Sequence, residues 1–233
     1  MDAILGVKID NLEKEEVFQK VEAFLDDNKF HQIATINPEF ILEAQKNAEF
    51  RNVITNCDLN VADGTGIRFA FYRFGKKLKA RITGIDLMLR ILKMANRKGI
   101  NVFLVANQNG LSSWEETADA IKEIYPNLSV SGMNMSPDFM MVEPLQKNVI
   151  VFCNFGAPYQ EVFLNSLKND IIGLAMGVGG SFDYLTGKLK RAPKWMRIFG
   201  LEWLWRLILQ PQRWKRIWNA VVIFPIKILF NKK

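Results

Sequence analysis

Four short groups in this chain set glycines or small residues beside a polar side chain where an apolar run gives way to a helical one. They are Thr35-Ile36-Asn37-Pro38-Glu39, Asp63-Gly64-Thr65-Gly66, Gly156-Ala157-Pro158-Tyr159-Gln160-Glu161 and Gly177-Val178-Gly179-Gly180-Ser181. Backbone N–H groups at such corners, with the positive end of a helix dipole behind them, suit an anion the size of a diphosphate. Asp63 has two readings, a cap for the helix that follows or a proton acceptor. Asn37, before Pro38, is likewise either a local cap or a binding group. The glycines at 177, 179 and 180 match neither G-x-G-x-x-G nor G-x-x-x-x-G-K-[ST], so a plain tight turn stands beside the anion reading. His31 opens a strand and reads as structural. Cys57 and Cys153 sit in apolar surroundings with no histidine near in sequence to activate them, and read as small core residues. No Asp-x-Asp occurs, so the usual carboxylate pair for a nucleotide-bound divalent metal is missing.

The elements that must hold these corners alternate. Strand-like runs are Ile4–Ile9, His31–Ile36, Leu59–Ala62, Val102–Ala106, Val130–Gly132, Val149–Asn154 and Ile171–Met176. Helical stretches lie between them at Leu12–Leu25, Glu39–Lys46, Ile67–Phe74, Ile85–Arg97, Ser112–Tyr125 and Gln160–Leu167. The alternation predicts an α/β fold, a Rossmann-like parallel sheet flanked by helices. In such sheets ligands bind beyond the carboxyl ends of the strands, which is where the four groups fall.

At 233 residues, 49% hydrophobic and 24% charged, the chain fits one sizeable domain with an appendage and excludes a disordered or collagen-like class. Two cysteines and one histidine exclude a disulfide scaffold and a histidine metal cage. The start, Met1–Gly6, lacks the features of a secretory signal, and an intracellular protein is expected. Net charge is +7, but residues 186–233 hold twelve of the 31 Lys and Arg and one of the 24 Asp and Glu. That segment is therefore +11, against −4 for residues 1–185 (19 basic, 23 acidic), and it carries five of the six tryptophans. We place a boundary near Thr186–Pro193: a catalytic body over 1–190 and a basic, Trp-rich helical C-terminal appendage over 191–233. The body already holds a full set of α/β layers, so the appendage is expected to be separable. Within it Glu202 can pair with Arg206, Trp214, Ile217 and Trp218 share a helical face, and Arg213 and Arg216 line another. Val221-Val222-Ile223-Phe224 suits lipid. A basic helix with Trp on its apolar side suits a bilayer interface; an ordinary helix docked on its own core and a nucleic-acid surface are the competing readings.

Taken in order, the corner groups, together with Arg81-Ile82-Thr83-Gly84, Lys190-Arg191-Ala192-Pro193-Lys194-Trp195 and Gly200-Leu201-Glu202-Trp203-Leu204, resemble the WecG/TagA/CpsF glycosyltransferases (glycosyltransferase family 26) from about residue 4 to about residue 218. Tyr159 departs from the Lys more usual there. The resemblance implies an inverting transfer of a sugar from a UDP donor to polyprenyl-diphosphate-linked N-acetylglucosamine. TagA-like members use N-acetylmannosamine and make the linkage unit of wall teichoic acid; WecG-like members use the uronic acid, and a UDP-glucose donor is a further alternative. By the same comparison Asp63 matches the base, Arg81 lies near the diphosphate, and Thr35, Asn37 and Gln160 match pocket positions. Gly177, Gly179 and Gly180 join them as substrate-binding, with Arg206, Arg213 and Arg216 as candidates on the leaving-group side. No cofactor, metal or nucleic acid is expected. The chain is expected on the cytoplasmic face of the cell membrane as a peripheral protein, with a homo-oligomer left open. The remote alternative is a non-catalytic membrane-binding α/β module, which has no reason to gather Asp63, Arg81, Thr35 and Asn37.

Overall fold

The computed structural model describes residues 2–138, 149–169 and 173–231. The chain opens on a hairpin, β1 (Asp2–Ile4) and β2 (Val7–Ile9), where the alternation suggests one strand over Ile4–Ile9. Leu5 (φ 48°) and Gly6 (φ 78°) make the turn, both in left-handed backbone. Leucine there hides the turn, because such hairpins are normally announced by Asn-Gly or Asp-Gly.

The remaining runs form one sheet: β3 (His31–Ile36), β4 (Leu59–Ala62), β5 (Asn101–Asn107), β6 (Val130–Met135), β7 (Val149–Cys153) and β8 (Leu174–Gly177). Their order is β4-β3-β8-β7-β5-β6, and every neighbouring pair is parallel. β8 begins at Leu174; Ile171 of the expected strand lies outside the described residues, as do Lys232 and Lys233. Every residue of β3, β4, β7 and β8 is buried, as continuous apolar strands covered on both faces require. The covering helices are α1 (Lys14–Asp26), α2 (Pro38–Ala44), α3 (Ala48–Thr55), α4 (Thr65–Arg73), α5 (Gly84–Lys98), α6 (Trp114–Ile124), α7 (Tyr159–Ser166) and α8 (Ser181–Leu185). Helix α3 is not among the expected elements. Asn47 starts it by accepting the Phe50 N–H at 3.0 Å, a cap that sits one residue past the end of the expected Glu39–Lys46 helix.

Successive residues of β3 feed opposite cores, as a period of two demands. Ile33 joins Val21, Ile91, Leu92 and Phe152, while Ala34 and Ile36 join Phe40, Phe50 and Phe71. His31 is structural: its ring stacks on Phe24 at 4.0 Å and its Nε2 lies 2.9 Å from Asp27. Cys57 and Cys153 are buried.

The C-terminal segment is helical, with α9 (Lys194–Phe199), α10 (Glu202–Leu209) and α11 (Trp214–Trp218), which continues through a π turn over Asn219–Ile223 into α12 (Phe224–Phe230). It does two things at once. Phe224 and Ile228 are fully buried in the cluster of Ile36, Phe40, Ile67 and Phe71, so the lipid reading of Phe224 is corrected: it is core. Trp195, Phe199, Trp214, Trp218 and Phe230 stay exposed. Among the described residues no helix is long and apolar enough to cross a membrane.

Candidate active site

Beyond the carboxyl ends of the strands lies a cleft of about 600 Å³. Thr35 and Asn37 reach it from β3, Asp63 from β4, Asn107 from β5, Asn154, Gly156 and Gln160 from the β7 corner, and Gly179 and Gly180 from the β8 corner. The C-terminal segment closes the opposite side with Glu202, Arg206, Arg213 and Arg216. The parallel sheet thus gathers residues 35 to 216 at one place, as its topology requires.

Asp63 does not cap the next helix. Gly64 occupies the N-cap of α4 with φ 85°, and no side chain caps there. The N–H of Gly84, the first residue of α5, instead favours the charged carboxylate, in keeping with the positive end of that helix's dipole. Burial pushes the Asp63 carboxyl up to about 6 and the Glu202 carboxylate adds to the rise; Arg81, Arg206 and the Gly84 N–H pull the other way. A group with these neighbours is ionised at pH 7 yet basic enough to take a proton.

The arginines divide by partner. Arg81 is not on the cleft wall: its Nη1 donates to Glu202 Oε2 at 3.0 Å and its Nη2 to the Arg197 carbonyl at 3.4 Å. Glu202 therefore pairs with Arg81 across the body–appendage contact, which corrects the expected i,i+4 pair with Arg206. Arg206 donates from Nε to the Tyr184 hydroxyl at 2.9 Å. Burial works against its charge, but Tyr184, Asp63 and Glu39 together hold it above its ordinary value. Arg216 reaches Glu39 with Nε at 2.9 Å. Arg213 makes no side-chain hydrogen bond or ion pair among the described residues. Burial lowers its pKa, and the Arg206 and Arg216 charges lower it further. Three guanidiniums crowd one side of the cleft, and among the described residues neither Arg206 nor Arg213 forms an ion pair with a carboxylate.

Asn37 combines both readings. Its Oδ1 caps α2 by accepting the Glu39 and Phe40 N–H groups at 2.9 and 3.1 Å, and the residue also lines the cleft. Gln160 is buried at the cleft floor, where its Oε1 accepts the N–H groups of Gly156 at 3.0 Å and Gly179 at 3.1 Å. Gly177, expected to bind substrate, is not among the residues that line the cleft. It ends β8 behind Gln160, and a Cβ there would run into the Gln160 amide and the Glu161 carboxyl. Glu202, Asn107 and Asn154 are cleft residues that the sequence reading missed. The two asparagines are bonded to each other, Asn154 Oδ1 accepting the Asn107 N–H at 2.6 Å. Both directly end or follow a strand, so the corner rule that singled out Asn37 would have found them. Among the described residues no three His, Cys, Asp or Glu side chains gather where they could hold a metal ion.

A family model described as "Glycosyl transferase WecG/TagA/CpsF family" matches residues 3–233. A protein of Bacillus subtilis (strain 168), named N-acetylglucosaminyldiphosphoundecaprenol N-acetyl-beta-D-mannosaminyltransferase, is 32% identical over 217 residues, covering 90% of this chain and 80% of the relative. A protein of the same name from Staphylococcus aureus (strain MRSA252) is 32% identical over 240 aligned positions, covering 99% and 92%. Thr35, Asn37, Asp63 and Gln160 meet in one cleft with Arg81 paired just behind it, the match spans the whole described fold, and the chain belongs to the WecG/TagA/CpsF family of glycosyltransferases.

Proposed function

We propose that the protein transfers N-acetylmannosamine, with inversion and without a metal, from a UDP donor to undecaprenyl-diphosphate-linked N-acetylglucosamine, the step that makes a teichoic acid linkage unit. The relatives' names support the acceptor and the sugar. The observation that carries the chemistry is Asp63 inside the cleft, freed from capping, in a cleft that three arginines also line. In this reading the acceptor hydroxyl gives its proton to Asp63 and its oxygen attacks the anomeric carbon. The bond from that carbon to the diphosphate oxygen breaks, and UDP leaves with the electron pair. Arg213, with Arg206 and Arg216 beside it and the backbone N–H of Gly180, offsets the charge on the leaving diphosphate. The absence of Asp-x-Asp supports arginines in place of a metal.

The exposed Trp195, Trp214 and Trp218 and the basic charge around them support a peripheral seat on the cytoplasmic face of the membrane, where such an acceptor resides. The test is transfer to a lipid-linked acceptor in EDTA with UDP-N-acetylmannosamine, UDP-N-acetylmannosaminuronate and UDP-glucose in parallel. Turnover with the first donor, undiminished by EDTA, is expected. Preference for either other sugar reassigns the donor, and loss restored by Mn²⁺ overturns the leaving-group assignment.

A further inference from the structure

Glu161 is fully buried, yet it belongs to no wall of the cleft and the transfer chemistry does not use it. Its neighbour Gln160 fixes how it must act. The Oε1 of Gln160 accepts two backbone N–H groups, from Gly156 after β7 and from Gly179 after β8. Backbone N–H groups only donate, so the amide's oxygen must face them and its nitrogen must face away. That nitrogen donates to Glu161 Oε1 at 2.6 Å. Only an acceptor at residue 161 holds the amide in this sense; a donor or an apolar group leaves a buried N–H unpaired or lets the amide turn.

We propose that Glu161 is a positioning residue for the nucleotide-sugar cleft: its carboxyl fixes the Gln160 amide, and Gln160 ties together the two loops whose backbone faces the donor diphosphate. The proposal rests on reading the cleft as a UDP-sugar site. Three further observations support it. Gln32, on β3, donates from Nε2 to the Glu161 backbone carbonyl at 2.9 Å, so α7 is held at this residue from the neighbouring strand as well. Gly177 leaves the room that the Gln160 and Glu161 side chains occupy. Among the described residues Glu161 Oε2 has no hydrogen-bond partner, and burial pushes the carboxyl up to about 8, which makes it the neutral acid at pH 7. The titratable groups that sense it are the thiols of Cys57 and Cys153, both themselves pushed upward by burial, and neither supplies a cation to keep it ionised. Its role is hydrogen-bond geometry, not charge.

The experiment is calorimetric titration of UDP into the full chain at pH 7, with thermal unfolding of each variant alongside. Glu161→Gln keeps an acceptor without a charge and should bind UDP within about threefold of wild type. Glu161→Leu fills similar space without an acceptor and should bind at least about tenfold more weakly while still unfolding cooperatively, the loss of one buried hydrogen bond in a two-loop anchor. Equal affinity in a folded Glu161→Leu overturns the proposal, and so does a tenfold loss in Glu161→Gln, which would mean that the charge matters. Should the leucine variant not fold, the glutamine variant decides alone. A wild-type chain that binds no UDP overturns the nucleotide reading and this proposal with it; tight wild-type binding alongside an unaffected leucine variant overturns this proposal only.

Discussion

Asp63 shows how one side chain carries opposite readings until its neighbours are known. As a cap it would stabilise the fold, and Asp63→Ala would cost on the order of 1 kcal/mol. In the structure Gly64 caps α4 instead. Asp63 is then a carboxylate held in a desolvated place, and it weakens the fold in its ionised form. Its pKa rises from the ordinary carboxylate range to about 6 on folding. Between about pH 4 and 6 the native state therefore binds more protons than the unfolded state, and the contribution from this group falls as pH rises through that window. Asp63→Asn escapes the loss, so at pH 7 it should unfold at or above the wild-type temperature. The same variant should lose about 10²–10⁴-fold in transfer rate, since no proton acceptor remains. Wild-type kcat/KM should fall as pH drops through about 6, where Asp63 takes up its proton. Near-normal turnover by Asp63→Asn in a transfer assay would remove the base from the mechanism.

Among the elements, strand ends do most of the positioning, and they were the part most legible from the residue string. Strands β3, β4, β7 and β8 stand out because a strand covered on both faces has no polar alternation to confuse it. Features that depend on tertiary contact were hidden. The Leu5-Gly6 turn lacks the usual turn residues, and α3 follows α2 too closely for a separate apolar period. Arg81 and Glu202 stand 121 residues apart, so no local pattern could pair them in place of Glu202 and Arg206. Gly177 was picked out for the right motif and the wrong reason. It does not line the cleft; it makes room behind Gln160 and Glu161. Gly177→Ala should therefore destabilise by about 1–3 kcal/mol through overpacking and weaken UDP binding with it. Gly179→Ala meets nothing within 4 Å but inherits φ 50°, so its cost is that of left-handed backbone alone, roughly 1 kcal/mol. Chemical unfolding of both variants beside wild type checks the contrast. Equal losses would mean that the packing behind the cleft is more forgiving than its contacts imply.

For the molecule as a whole, the appendage was legible as a basic, Trp-rich block because charge and tryptophan are counted without a fold. Its division of labour was not, since burial of Phe224 and Ile228 depends on how α12 meets α2 and α4. One segment thus serves three surfaces: Phe224 and Ile228 complete a core, Arg206, Arg213 and Arg216 face the cleft, and Trp195, Trp214 and Trp218 face outward. A separable appendage is hard to reconcile with the first of these. Cutting the chain after Lys194 removes two fully buried side chains from the cluster that holds Ile36, Phe40 and Phe71, so the remaining body should unfold at lower denaturant than the full chain. Phe224→Ala in the full chain isolates the core role and should cost about 3–5 kcal/mol in urea unfolding. The outward role calls for variants that leave the core intact. Trp214 and Trp218 are each more than half exposed, at 56% and 54%, so replacing both with Ala should barely change stability. If the appendage seats the enzyme on the membrane, the double variant should sediment with anionic liposomes at least about tenfold less well, because the apolar area that enters the interface is gone. Transfer to a lipid-linked acceptor should fall with it, while transfer to a short water-soluble acceptor should hold, because neither tryptophan lines the cleft. Equal sedimentation of the wild type and the double variant would leave the tryptophans without a lipid role and the appendage as a lid on its own active site.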